Sequence, residues 1–337
     1  MIRSLVITPN AEYSASENTA GQVLLRHNLS QESLEKCFAD GDTMWIDICA
    51  PEDDEIHWLE RLLQLSATVV DDLLREDRRP TLLVYPRYLF LSLFQPHSQN
   101  KAIVGKEIHC IIGEHFYVTV WQKDASALEE AYNRVVQNPE LWHRGVAYFL
   151  YLTAQHTIDT YYPLLDHIND QLHALEEKFL NDRDDKQAQK SVYRIKQHLI
   201  RLRQMIAPQR EVLSNLMGET RISENSDIRD LFRHLYERLL GIYDVIDSQR
   251  DLTSSVLEVV GNQHSRQIGE AVNRLTIISL VFLPFTFFLG LFDAGFFDVS
   301  ETMVLPINGL ILAFLTVVVM IAVIVTMRSI FQHRGWV

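Results

Sequence analysis

The sequence predicts an α/β cytosolic domain, long stalk helices and a C-terminal two-helix transmembrane hairpin. Three observations lead there. Strand-like segments alternate with amphipathic helical ones up to about residue 125, and from Ser126 onward the pattern is helical. The last quarter then holds two uncharged apolar runs, 275–292 and 304–327, separated by eleven residues. Eighteen helical residues span about 27 Å, close to the thickness of a bilayer's hydrocarbon core.

Taken in order, residues 4–8, 44–48, 82–84 and 88–94 carry the β-branched and aromatic content of strands. Residues 103–112 and 115–121 flank Gly113-Glu114, which reads as a hairpin turn. Helical patterns cover 31–38 and 51–65, the second opening with Pro51 and four acids that suit a helix N-terminus. The helical region 126–227 breaks at 138–145, at 181–185 and again at 218–227. No turn cluster follows Asp227, so one helix is expected from about Ile228 to Phe292, roughly 100 Å long. The predicted organisation is an α/β domain (1–125), a helical region (126–227), a stalk helix (228–274), a first span (275–292), an external loop (293–303), a second span (304–327) and a tail (328–337).

Charge orients the hairpin. Arg266, Arg274, Arg328 and Arg334 flank the spans, while the loop carries Asp293, Asp298 and Glu301 and no base. The bias of bases toward the cytoplasm places both termini inside and the acidic loop outside. The first thirty residues contain acids and no basic segment leading into an apolar run, so no signal peptide is expected. The net charge of −13 argues against nucleic acid as a partner and suits the attraction of cations. Cys37, Cys49 and Cys110 have no paired spacing and are expected as reduced thiols. Phosphate-binding loops, dinucleotide fingerprints, zinc-protease helices and nucleophile elbows are all missing, leaving an enzymatic reading nothing to rest on.

One face of the long helix is unusual. Heptad steps back from Asp293 select Gly290, Thr286, Leu283, Ser279, Thr276, Val272, Gly269, Ser265, Asn262, Glu258, Ser255, Asp251, Ser248, Asp244 and Gly241. Only Leu283 and Val272 of these sixteen are large and apolar, whereas a coiled-coil seam would be apolar throughout. Polar groups within a membrane helix face protein or water, so several copies around an axis would line a path with hydroxyls and small residues. Asp244, Asp251 and Glu258 would ring its cytosolic part with carboxylates, an arrangement that favours cations. The bland alternatives are a solvated helix face and hydroxyls bonded back to their own helix. Two spans per chain cannot enclose a path, so an oligomer is required.

At these residues the chain resembles the CorA family of two-span divalent-cation transporters. Trp45-Ile46-Asp47, the acidic helix after Pro51, Val70-Asp71-Asp72-Leu73-Leu74, Arg79-Pro80 and Tyr88-Leu89-Phe90-Leu91 match its N-terminal domain in order. Ala207-Pro208-Gln209-Arg210-Glu211 matches its helical region. Leu275-Thr276-Ile277, Phe282-Leu283-Pro284-Phe285-Thr286-Phe287 and Gly290-Leu291-Phe292 match its pore helix. Arg334-Gly335-Trp336 is closer to the zinc-transporting ZntB branch and the related CmaX. The resemblance implies a funnel-shaped homopentamer in the inner membrane, lining its pore with Thr276, Ser279, Leu283, Thr286, Gly290 and Asp293 and carrying zinc or another divalent cation such as magnesium.

Two departures qualify the implied function. The family ends its pore helix in Gly-Met-Asn or a close variant, and the corresponding residues here are Asp293, Ala294 and Gly295. A carboxylate ring at Asp293 would coordinate a metal directly rather than select a hydrated one. The family's cytosolic regulatory site pairs acids, here Asp71 and Asp72, with an acid on a neighbouring stalk, here replaced by His234. Carboxylate with imidazole suits zinc better than magnesium, the plainer alternative being an ordinary subunit-contact histidine. The alternative is a membrane scaffold or regulator that kept the fold after losing conduction. His109-Cys110 with His115 is a weaker zinc candidate, since structural zinc sites usually show two ligand pairs.

Overall fold

In the computed structural model the described residues are 2–7, 25–75, 79–100, 102–122, 126–181 and 186–293, with residues 314, 317–319, 321, 322, 325 and 326 toward the C-terminus. The chain divides into two compact units, 1–257 and 258–337.

The first unit is built on strands β1 (Ile2–Ile7), β2 (Arg26–His27), β3 (Thr43–Cys49), β4 (Leu82–Val84), β5 (Leu89–Gln99), β6 (Ala102–Ile112) and β7 (Phe116–Trp121). They form one sheet in the order β2-β1-β3-β7-β6-β5-β4. Only the β3–β7 pair is parallel, with Ile46 opposite Val118 and Asp47 opposite Thr119. Alternation along β3 sorts its side chains onto two faces. Met44, Ile46 and Ile48 join the core beneath α1 (Gln31–Ala39), α2 (Asp53–Leu63) and α3 (Ala67–Leu74). Trp45 and Asp47 look the other way, toward α4 (Ser126–Gln137) and α5 (Val146–Asp159), where Trp45 packs on Tyr117, Tyr132 and Phe149.

That second face explains Trp45-Ile46-Asp47. Asp47 is fully buried, and each carboxylate oxygen accepts two hydrogen bonds. Thr119 Oγ1 at 2.6 Å and Trp121 Nε1 at 2.8 Å donate to Oδ1, while Arg3 Nε at 2.9 Å and Nη2 at 2.6 Å donate to Oδ2. Four donors fill the acceptor capacity of a carboxylate. They offset the burial that pushes its carboxyl upward. Trp45 Nε1 closes the network on Thr119 Oγ1 at 3.0 Å.

The helix after Pro51 begins at Asp53, with Glu52 as its N-cap and Glu55 Oε2 accepting from Glu52 N at 3.0 Å. Pro51 therefore precedes the helix instead of opening it. The hairpin turn at Gly113 closes through Gly113 N to Phe116 O at 2.9 Å.

A 3₁₀ turn at Pro139–Arg144 separates α4 from α5. Then come α6 (Tyr161–Asn181), α7 (Lys186–Leu216), the short α8 (Thr220–Ser223) and α9 (Ser226–Asp293). The expected turn at 181–185 falls on residues 182–185, outside the described residues.

Within the first unit the long helices pack through heptad seams. Tyr161, Leu165, Ile168, Leu172 and Leu175 are buried on α6; Val192, Ile195, Leu199, Leu202, Ile206 and Gln209 on α7; Ile228, Phe232, Leu235, Leu239, Ile242 and Ile246 on α9. The α9 seam turns polar at Gln249 and Thr253, both buried; Gln249 Nε2 donates to Leu165 O at 3.2 Å and Thr253 Oγ1 to Gln249 O at 2.7 Å. Arg203 on α7 donates to Tyr243 Oη at 2.7 Å and lies 3.3 Å from Asp247, tying α7 to α9.

Among the described residues no helix is long and apolar enough to cross a membrane. The expected first span lies on α9, where the side chains at 280, 281, 284, 285, 287–289 and 291–293 are outside those described. Residues 294–313, which take in nearly all of the expected loop and the start of the second span, are outside the described residues, as is the tail. The described positions of the second span are helical and exposed.

Candidate functional site: the exposed face of α9

In the first unit the polar stripe and the buried seam lie on opposite sides of α9. Gly241, Asp244, Ser248, Asp251 and Ser255 each follow a seam residue (Leu239, Ile242, Ile246, Gln249, Thr253) by two positions, about 200° around the helix. All five are exposed. The seam is thus what α9 uses to fold, and the stripe is left over. Asp244 and Asp251 are presented outward, with Asp251 Oδ1 3.4 Å from Arg250 Nη2. Arg250 also approaches Asp247 at 3.3 Å, so it does not neutralise Asp251 alone.

In the second unit Glu258, Ser265, Gly269, Val272, Thr276, Ser279, Leu283, Thr286 and Gly290 are exposed as well. Thr276 Oγ1 donates to Val272 O at 2.8 Å, and Thr286 Oγ1 to Phe282 O and Leu283 O at 3.1 and 3.0 Å. The bonding of hydroxyls back to their own helix is therefore present. It spends the proton and turns acceptor lone pairs outward, as suits a cation or its water. Exposed apolar residues share this unit: Ile268, Leu275, Ile278 and Phe282 on α9, and Phe314, Val317, Ile321 and Val325 beyond it. Asp293 is the last residue of α9, and its side chain is outside those described.

The cytosolic metal candidates are less assembled. Asp72 is buried on α3, Asp71 accepts from Arg75 Nε at 2.9 Å, and His234 is exposed on α9. Among the described residues no three or more His, Cys, Asp or Glu side chains gather as a metal site. This disposes of the His109-Cys110-His115 candidate. Neighbours on a strand face opposite ways. Cys110 is buried beneath the Tyr117 hydroxyl at 3.2 Å, burial pushing its thiol up to about 12, while His115 is exposed.

Residues 40–331 match the family model described as CorA-like Mg2+ transporter protein. The chain belongs to the CorA family. The cobalt/magnesium transport protein CorA of Thermotoga maritima is 26% identical over 77% of this chain and 75% of its own. The zinc transport protein ZntB of Yersinia enterocolitica is 24% identical over 74% of this chain and 76% of its own. Among solved structures, the complete CorA magnesium transporter of Methanocaldococcus jannaschii superposes with a TM-score of 0.76 at 17% identity, covering 100% of this chain and 99% of its own.

Membership in the CorA family, whose members are metal-ion transporters rather than enzymes, gives the buried Asp47 network and the Ala207-Pro208-Gln209 segment a structural meaning. Both hold the α/β fold together. Sequence reading missed two features, the role of Gln209 and a group of cations on α7. Lys190, Arg194 and Arg201 fall on one helical face at spacings of four and seven, a signal present in the sequence but masked by the overall negative charge.

Proposed function

We propose that this chain is a divalent-cation transporter of the inner (plasma) membrane, assembled as a homopentamer with both termini in the cytoplasm. Residues 275–292 and 304–327 cross the bilayer, and 293–303 form an acidic external loop. Five α9 helices with their exposed face inward enclose an axial path lined by Thr276, Ser279, Leu283, Thr286 and Gly290 and closed outside by Asp293. Asp244, Asp251 and Glu258 supply the cytosolic rings of negative charge. One observation carries the reading: the described small and polar stripe residues of α9 are exposed, and in the first unit they lie opposite the seam by which the helix packs. A solvated stalk face accounts for Asp244, Asp251 and Glu258, but not for glycine, serine and threonine carried on along the expected span to Gly290.

Zinc is the cargo this reading favours. A ring of Asp293 carboxylates offers direct ligation, and Asp72 with the His234 of a neighbouring copy, Asp71 alongside, forms an oxygen–nitrogen set that suits zinc. Support from relatives is mixed, since one is named for zinc and another for cobalt and magnesium. The test is uptake into liposomes holding the purified protein and a metal-sensitive dye. Saturable zinc uptake supports the proposal, and uptake of magnesium or cobalt alone would move the cargo. No flux of any divalent ion would leave a non-transporting scaffold, the reading that the Asp293-Ala294-Gly295 departure otherwise favours.

A further inference from the structure

A cleft of about 1080 Å³ opens in the first unit between α7 and the β4–β5–β6 end of the sheet. The volume is that of a small-molecule site. Its floor is apolar: Phe94 and Met205 close against Gly105, where a Cβ would stand 2.6 Å from Phe94 Cδ1 and 2.8 Å from Met205 Sδ. Its wall is cationic. Arg79 enters from the segment before β4, and Lys190, Arg194 and Arg201 from α7, with His198 beside them. The three α7 bases occupy about 16 Å of one helical face. No acid is among the described residues lining the cleft.

This is anomalous in a chain of net charge −13. Several arginines elsewhere in the unit stand beside carboxylates: Arg3 with Asp47, Arg26 with Asp42, Arg75 with Asp71, Arg238 with Asp159. Among the described residues no ion pair joins Arg79, Lys190, Arg194 or Arg201 to an acid. Four like charges facing one concavity repel one another, and an anion with several negative oxygens relieves that repulsion. Tyr193, 60% exposed among the residues lining the cleft and about 60° around α7 from Lys190, offers an aromatic face where a charged ligand's ring can stack.

We propose that this cleft binds a nucleoside di- or triphosphate, its phosphates on Arg79, Lys190, Arg194 and Arg201 and its base against Tyr193. The proposal is independent of whether, and what, the protein transports. It is tested by calorimetry on the full-length protein in detergent, stripped of divalent ions with chelator, using ATP and inorganic tripolyphosphate as probes. Saturable ATP binding is expected, weakened about tenfold by Arg194→Ala or Arg201→Ala. Tyr193→Ala should weaken ATP while leaving tripolyphosphate unchanged. Arg61→Ala, an exposed arginine on α2, should change neither. These side chains are exposed, so the variants should keep the wild-type unfolding midpoint. Failure of the wild type to bind either probe would overturn the site, as would an equal loss in Arg61→Ala. Tripolyphosphate binding as tightly as ATP, with Tyr193→Ala silent, would overturn the nucleoside. Binding to nanodiscs of phosphatidylglycerol but not to ATP would assign the cations to a lipid headgroup instead.

Discussion

Gln209 on α7 holds Phe94 on β5 as a neighbouring strand would. Gln209 Oε1 accepts from Phe94 N at 3.1 Å, and its Nε2 donates to Phe94 O at 3.2 Å. Strand β4 pairs with β5 only from Leu89 to Leu91, so beyond it the side-chain amide takes over the outer edge. The Tyr161 hydroxyl joins, donating to Phe94 O at 2.9 Å and accepting from Gln209 Nε2 at 2.7 Å. α6, α7 and the sheet thus meet at one buried amide.

Gln209→Leu should leave Phe94 N and a buried hydroxyl short of partners and lower stability by about 2–4 kcal/mol. Gln209→Glu should also destabilise, because a carboxylate accepts from Phe94 N but faces Phe94 O with no proton to give. Thermal unfolding of the purified protein checks both. An unchanged midpoint in the two variants would make this junction dispensable.

His109 on β6 carries a pH dependence of definite sign. It is buried against Phe90, with ring centroids 5.7 Å apart, and the Glu107 carboxylate lies 3.4 Å from its Nε2. Burial nevertheless pushes the imidazole down to about 4 from an ordinary 6.5. Between those values the unfolded chain binds a proton that the folded chain refuses. Stability from this group is therefore full above pH 6.5 and is lost as pH falls toward 4, by roughly 3–4 kcal/mol at most. His109→Phe should flatten that part of the stability–pH curve in denaturant titrations. A curve of wild-type slope would assign the acid sensitivity elsewhere.

Much of this fold is legible in the sequence because period-two and heptad patterns are direct consequences of burial. The sheet segments and the helix from Ser226 to Asp293 lie within a few residues of where composition and turn signals put them. What periodicity misses is local. The two-residue β2 is too short to show a pattern. The break at Thr160 between α5 and α6 passes unseen although Pro163 marks a first helical turn. Partnership is also hidden: nothing in Ala207-Pro208-Gln209 says that the amide closes on Phe94, 115 residues away. The polar stripe on α9 was readable for a related reason. Positions that fit no folding seam stand out once the seam at 228–246 is recognised.

That separation makes a geometric prediction for the oligomer. Ser248→Cys and Ser255→Cys lie on the exposed face, whereas Thr253 is fully buried and Val256 half-buried. If the stripe faces the axis of the proposed oligomer, oxidation should crosslink the first two between copies and leave Thr253→Cys and Val256→Cys as monomers on gels. Equal crosslinking across the set would mean that α9 is rotated, and the path argued from this face would fall with it.

The most discriminating residue is Asp293. It ends α9 three positions beyond Gly290, on the same helical face, and the stripe holds no other acid before Glu258. By its resemblance to the family, Asp293-Ala294-Gly295 stands where the Gly-Met-Asn motif would be expected. Several carboxylates brought together at a pore mouth repel one another, and a divalent cation relieves the repulsion by binding among them. An aspartate that merely capped the helix in bulk water would contribute little, and so would Asp298 farther along the loop. Asp293→Ala should therefore cut divalent uptake about tenfold or more, the equivalent of at least about 1.4 kcal/mol of lost ion binding. Asp298→Ala should cost much less, with both variants eluting as the wild-type oligomer. Wild-type uptake by a correctly assembled Asp293→Ala protein would remove this residue from the path and leave selectivity to the hydroxyl-lined span below.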